Sequence, residues 1–208
     1  MNIQTPKIKS NSRVIILAVI LIIIGLAIMI PRGLGMLNFF KEANYATRNN
    51  FQNGNPSPDL IRPWMTIRYI SAAYGVPQAY LFDGAGIPPN KENSMQSLKR
   101  LNDKLKLSEQ DQQPALMFKI RDIVREYQAN PVVTGLIERS VQEWMTIQYI
   151  SNSTGIPMDE IFRAINLPAE GNAYLPLGFL SDKNDYPGGH KSLIMALQKL
   201  VDSQPVQP

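Results

Sequence analysis

The chain has 208 residues, 44% hydrophobic and 18% charged, an ordinary composition that excludes disorder over most of its length. It has no cysteine, so disulfide frameworks, thiolate nucleophiles and zinc ribbons are excluded together. The formal net charge is +4, but Lys7, Lys9 and Arg13 lie ahead of residue 31, and the rest holds 18 basic residues (21 less 3) against 17 acidic. A balance of +1 there lacks the electrostatic footprint of a nucleic-acid binder.

Residues 14–30 read VIILAVILIIIGLAIMI, without a charged or strongly polar side chain. As a helix this run rises about 25 Å, near the lower limit for crossing a bilayer. Asn11 and Ser12 can start it and Pro31 ends it. A cleavable signal peptide has a shorter apolar run and a small-x-small site, which Ile28-Met29-Ile30-Pro31-Arg32 does not offer. A buried core helix seldom runs this long without a polar residue. The expectation is a tail at 1–13 and a transmembrane anchor at 14–31, in contact with the lipid bilayer. The basic residues and free amine before the span outweigh Arg32, Lys41 and Arg48 after it. The positive-inside rule then puts the N-terminus in the cytoplasm and the body outside it.

After a juxtamembrane linker at 32–60, the body repeats itself. Trp64-Met65-Thr66-Ile67-Arg68-Tyr69-Ile70-Ser71 recurs as Trp144-Met145-Thr146-Ile147-Gln148-Tyr149-Ile150-Ser151. At the same offset Gly75 matches Gly155, Pro77 matches Pro157, Phe82 matches Phe162 and Pro88 matches Pro168. The repeat predicts a first module at 61–108, a connecting helical region at 109–139, a second module at 140–203 and a tail at 204–208.

Each copy encodes two short helices. Thr66 and Thr146 can accept from open N–H groups of a first turn. Met65 with Ile70, and Met145 with Ile150, stand at staple positions around those caps. Ile67, Ile70, Ser71 and Tyr74 share one helical face. Gly75 and Gly155 suit a left-handed helix end. Pro77 and Pro157 suit a helix start, where a missing N–H costs nothing. The second helix carries Leu81 and Phe82 inward, and small Ser71 and Ser151 let it cross closely. A third helix is expected at 95–106 in the first copy and 191–201 in the second. Residues 114–128 form a further amphipathic helix with a stripe of Leu116, Ile120, Ile123, Val124 and Tyr127. The predicted fold class is all-α: an N-terminal transmembrane helix followed by two similar small helical modules, without a strand.

The cadence Thr-Ile-x-x-Ile-Ser-x-x-x-Gly-Val-Pro-x-x-x-Leu resembles the helix-turn-helix of bacterial regulators, through Ser71, Gly75 and Leu81 and through Ser151, Gly155 and Ile161. The resemblance covers about 20 residues per copy and implies the αα-turn. A recognition helix should present Arg, Lys, Asn or Gln to base edges among phosphate-binding cations. Here the second helices carry Asp83 and Asp159-Glu160 instead, which a duplex repels. No nucleic-acid partner is therefore expected. The same cadence is similar to small helical modules on bacterial membrane proteins, which implies attachment to an envelope system.

Chemistry is sparse. His190 stands alone, without a second His or any Cys, so a metal site or a histidine-based nucleophile pair lacks its partners. No phosphate-binding loop, dinucleotide fingerprint or nucleophile elbow is present. No cofactor, metal or enzymatic activity is expected. The methionines read as core filler. Candidate partner-binding residues are the aromatics Trp64, Tyr69, Trp144 and Tyr149; alternatively, both tryptophans pack between the modules. Residues 172–187 read as a long insertion relative to the first copy. Its Tyr174, Leu177 and Phe179 are further candidates, either tucked over the core or forming a docking surface. Lys99, Arg100, Lys104 and Lys106 read as a solvated face or a contact for acidic lipids. The expected function is that of a membrane-anchored accessory or scaffold protein in a prokaryotic inner membrane, binding a protein partner, with a membrane-tethered transcription regulator as the alternative.

Overall fold

The computed structural model describes residues 45–46, 48–51, 54–136 and 140–204. The expected anchor at 14–31, its preceding tail and most of the linker lie outside them. Among the described residues no helix is long and apolar enough to cross a membrane. The chain divides after Tyr45, and every element named here belongs to the second unit, Ala46–Pro208.

The first module begins with a 3-10 turn, Pro58–Leu60, started by the Ser57 side chain accepting from the Asp59 amide. Then come α1 (Ile67–Tyr74), α2 (Gln78–Ala85), α3 (Lys91–Met95) and α4 (Leu98–Lys104). A two-residue hairpin, β1 (Glu109–Gln110) with β2 (Gln113–Pro114), leads into α5 (Ala115–Ala129). The second module comprises α6 (Ile147–Thr154), α7 (Met158–Ile165), α8 (Leu177–Lys183) and α9 (Gly189–Asp202). The described chain is mostly helical, and the hairpin corrects the expectation of no strand. Its loop residues Asp111 and Gln112 both take positive φ, the backbone that a tight two-residue turn requires. That choice left no Asn-Gly signal to read.

The caps stand where the repeat placed them. Thr66 Oγ1 accepts from Tyr69 N–H at 3.0 Å, and Thr146 Oγ1 from Tyr149 N–H at 3.1 Å. Met65, Ile67 and Ile70 are buried, as are Met145, Ile147 and Ile150. Gly75 at φ +65 and Gly155 at φ +77 close the helices. The next helices end on another left-handed pair, Gly86 and Asn166. Pro77 and Pro157 stand one residue earlier than a helix start, at the cap itself, where an N–H is likewise unused.

The repeat unit is larger than its identical residues suggest. Leu98 N–H donates to Met65 O at 2.8 Å, and Leu177 N–H donates to Met145 O at 2.8 Å. Lys104 Nζ reaches Asn93 Oδ1 at 3.1 Å, and Lys183 Nζ reaches Asn172 Oδ1 at 3.0 Å. Asn93 and Asn172 in turn donate to Pro88 O and Pro168 O, at 2.9 and 2.8 Å. So α8 is the counterpart of α4, and residues 172–183 are no insertion. The same logic pairs α5 with α9, since α5 packs on α2 and α4 while α9 packs on α7 and α8. Leu116, Ile120 and Val124 then correspond to Leu193, Leu197 and Val201. Both closing helices also tie back to the chain ahead of the first: Arg121 Nη2 donates to Ile61 O at 2.8 Å, and Gln198 Oε1 accepts from Val141 N–H at 2.7 Å.

Three expectations change accordingly. The helix expected at 114–128 within the connecting region 109–139 is α5, which closes module 1, so that module runs from about Ser57 to Ala129. The expected helix at 95–106 is broken at Gln96, because Ser97 caps α4 through Arg100 N–H at 3.3 Å. The expected third helix at 191–201 is the fourth element of its module.

Candidate interaction surface and the module junction

The sequence-predicted aromatics pair inside each module. Trp64 lies on Tyr69 with ring centroids 5.5 Å apart, and Trp144 on Tyr149 at 5.1 Å. The tryptophans do not pair with one another across the modules. Trp64, Tyr69 and Trp144 are half-buried, whereas Tyr149 is only 2% exposed. Leu177 is fully buried, held by its amide bond to Met145 O. Tyr149 and Leu177 are therefore corrected from partner-binding candidates to core residues: no partner can touch them while the module is folded. Phe179, on the opposite side of α8, is 43% exposed.

Tyr174 has an internal role. A Cβ placed on Gly54 would stand 2.9 Å from its hydroxyl oxygen, so a module 2 side chain rests on the chain just ahead of module 1. Burial raises its phenol pKa, partly opposed by the Asn55 backbone.

The modules meet through α1 and α6. Asn152 Nδ2 donates to Gly75 O at 2.7 Å, and Thr146 Oγ1 donates to Ala72 O at 3.3 Å. Gln148 Nε2 donates to Asn152 Oδ1 at 2.7 Å, which aligns the pair along one face of α6. The approach is close: a Cβ on Gly75 would come within 2.8 Å of Gln148 Cγ and 3.1 Å of Asn152 Nδ2. Module 2 thereby buries the turn of module 1, and Gln78 at the start of α2 is only 2% exposed.

Sequence reasoning missed this junction. Its signal lay at two positions where the copies differ, Arg68 against Gln148 and Ala72 against Asn152. In the second copy these put two amides four residues apart on one face.

Titratable groups form no catalytic constellation among the described residues. His190 stands in the first turn of α9, and its Nε2 lies 3.1 Å from Glu143 Oε1 with both side chains largely exposed. Lys104 beside Glu92, at 2.9 Å, holds that carboxyl below the usual carboxylate range. No group of three or more His, Cys, Asp or Glu residues suited to a metal ion occurs among the described residues. The outward apolar side chains include Phe179 and, on α9, Met195, which is 67% exposed.

Comparison with protein-family models, with curated proteins and with solved structures finds no match for the chain.

Proposed function

We propose that the protein is a membrane-anchored, non-enzymatic accessory protein of a prokaryotic inner membrane, whose repeated modules hold a protein partner in a membrane complex. The observation that carries this reading is how the repeated residues are spent. Thr caps, buried methionines, Trp–Tyr pairs and Asn–Lys clamps all serve packing within a module. Part of what differs between the copies lies outside. Phe179 and Met195 stand where module 1 has Arg100, exposed and charged, and Phe118, half-buried beneath Arg121 at 5.4 Å. Outward apolar side chains on adjacent helices suit a protein partner. The apolar run at 14–30 supports the anchor, and the basic residues before it support a body outside the cytoplasm.

The αα-turn at Gly75 and at Gly155 favours the second reading, a membrane-tethered regulator that binds DNA. Against it, Gln148 and Asn152 of module 2 lie over the Gly75 turn and Gln78 is only 2% exposed, which argues against an open path of α2 into a groove. The start of α7 carries Asp159 and Glu160 toward any duplex.

The experiment is purification of the tagged full-length chain from native membranes, beside a Phe179→Asp/Met195→Asp variant. The reading expects a stoichiometric partner with the wild type and a several-fold loss with the variant. An unchanged set of companions would overturn the surface. Recovery of DNA fragments with the wild type would promote the regulator.

A further inference from the structure

The two modules meet head to tail. The turn of module 1 receives the first turns of α6 through Thr146, Gln148 and Asn152. In an isologous contact the turn of module 2 would receive the first turns of α1 in return. It does not. Gly155 is exposed, and a Cβ there would meet only Val133, at 3.4 Å.

A heterologous contact leaves half of each surface unused. Among the described residues those halves are the first turns of α1, at Thr66, Arg68 and Ala72, and the turn of module 2, at Gly155, Pro157 and Met158. Burial follows the same division. Thr146 is buried and Thr66 only half-buried, while Pro77 and Gln78 are buried against an exposed Pro157 and a half-buried Met158. The two unused surfaces are copies of two that already fit each other within the chain.

We propose that a second copy of this chain docks there, with the module 2 turn of one molecule seated on the first turns of α1 of the next. The substitutions between the copies support this occupant by charge. Arg68 replaces Gln148, while Asp159 and Glu160 replace Ala79 and Tyr80 at the start of the helix that follows the turn, where Arg163 pairs with Asp159 at 3.1 Å. One surface thus gains a cation, and beside the other stands Glu160, an acid without an ion pair among the described residues; Arg68 likewise makes no hydrogen bond or ion pair among them. Ala72 replaces Asn152, so the amide bond to the turn carbonyl is not reproduced. The contact between molecules is accordingly weaker than the one within the chain, and reversible. Val133, half-exposed beside Gly155, and the Gly135 N–H bond to Ser153 O at 2.7 Å rim the same turn. Such contacts generate open rows or rings rather than closed dimers. The inference goes beyond the accessory-protein reading and needs neither its partner nor its anchor.

The test is sedimentation of the full-length chain in detergent micelles over a range of protein concentration, at low and high salt. Reversible association that weakens as salt rises is expected. Arg68→Glu should raise the dissociation constant about tenfold or more, as should Asp159→Arg/Glu160→Arg. Mixing the two variants should restore assembly, because each then offers the charge the other lacks. Ala72→Lys, on the same surface, should weaken association independently, and Glu109→Gln, exposed in the hairpin, should leave it unchanged. A single-chain mass at every concentration would overturn the inference. So would association that survives Arg68→Glu and Ala72→Lys, or a mixture that stays apart.

Discussion

Module 1 and module 2 share caps, clamps and closing helices, yet the turn of one is buried and the turn of the other exposed. Gly75 lies beneath Gln148 and Asn152, while Gly155 meets only the edge of Val133. The serines following the repeated Ile show the same divergence. Ser151 Oγ donates to Ile156 O at 2.7 Å, whereas Ser71 Oγ is buried without a hydrogen-bond partner among the described residues. The lesson is a division of labour. Residues identical in the two copies hold each module's own fold, and residues that differ decide where the modules meet.

Substitution at paired positions separates the shared framework from the junction. The largest effect is expected from Leu98→Ala and Leu177→Ala, both fully buried. Each should lose about 2–5 kcal/mol in denaturant unfolding, because transfer and cavity costs add. Similar losses would support the equivalence of α4 and α8, and a near-neutral Leu177→Ala would return that residue to the surface. Next comes alanine at the two turn glycines. Both carry positive φ and should lose about 1–2 kcal/mol from the left-handed backbone. Only Gly75→Ala must also displace Gln148 and Asn152, adding about 1–3 kcal/mol of overpacking. Equal losses would refute the close junction.

Removing the helix caps should cost less. Thr66→Ala and Thr146→Ala each forfeit about 1 kcal/mol. Thr146→Ala should cost more, since its hydroxyl also bonds Ala72 O. The smallest effect is confined to high pH. Burial, then the neighbouring Tyr80, pushes the Tyr127 phenol up to about 12, with the two rings 5.2 Å apart. The fold favours the neutral phenol, so this stability is intact below the ordinary value of 10.0 and is lost as pH rises toward about 12. Tyr127→Phe should remove that alkaline slope from an unfolding titration. The matching position in module 2 is Gln204, which cannot titrate.

Much of this was legible in the residues themselves. Thr66, Gly75 and their counterparts specify helix ends through local chemistry, and eight consecutive residues repeat with a single change. The mostly helical character followed from periodicity. The full repeat was not legible, because its offset drifts: Pro88 matches Pro168 at eighty residues, Asn93 matches Asn172 at seventy-nine, and Leu116 matches Leu193 at seventy-seven. Past Pro88 little more than Asn, Leu and Lys positions survive, and those types recur everywhere. The break at Gln96 was hidden because the helical period of Leu98, Leu101 and Leu105 lies wholly after it and leaves Met95 and Gln96 unmarked. Of the candidate surface, Phe179 stands outward, but Tyr149 and Leu177 do not. An apolar residue on an amphipathic helix announces that it packs, and not against what. The junction needs α1 and α6 side by side, a tertiary fact that no local pattern carries.

The junction at Gly75, Gln148 and Asn152 should make the two copies of one unit unfold as one body. Each module owns one tryptophan, Trp64 or Trp144, so Trp144→Phe and Trp64→Phe leave a fluorescence reporter in module 1 or module 2 alone. Urea unfolding of the two variants, followed by that fluorescence and by far-ultraviolet circular dichroism, is the direct measurement. The account predicts coincident midpoints and equal slopes for all probes, with the two reporters separating only when Gly75→Ala is added. Separate midpoints in the parent variants, each tryptophan reporting its own transition, would show two independent modules on a string and contradict it.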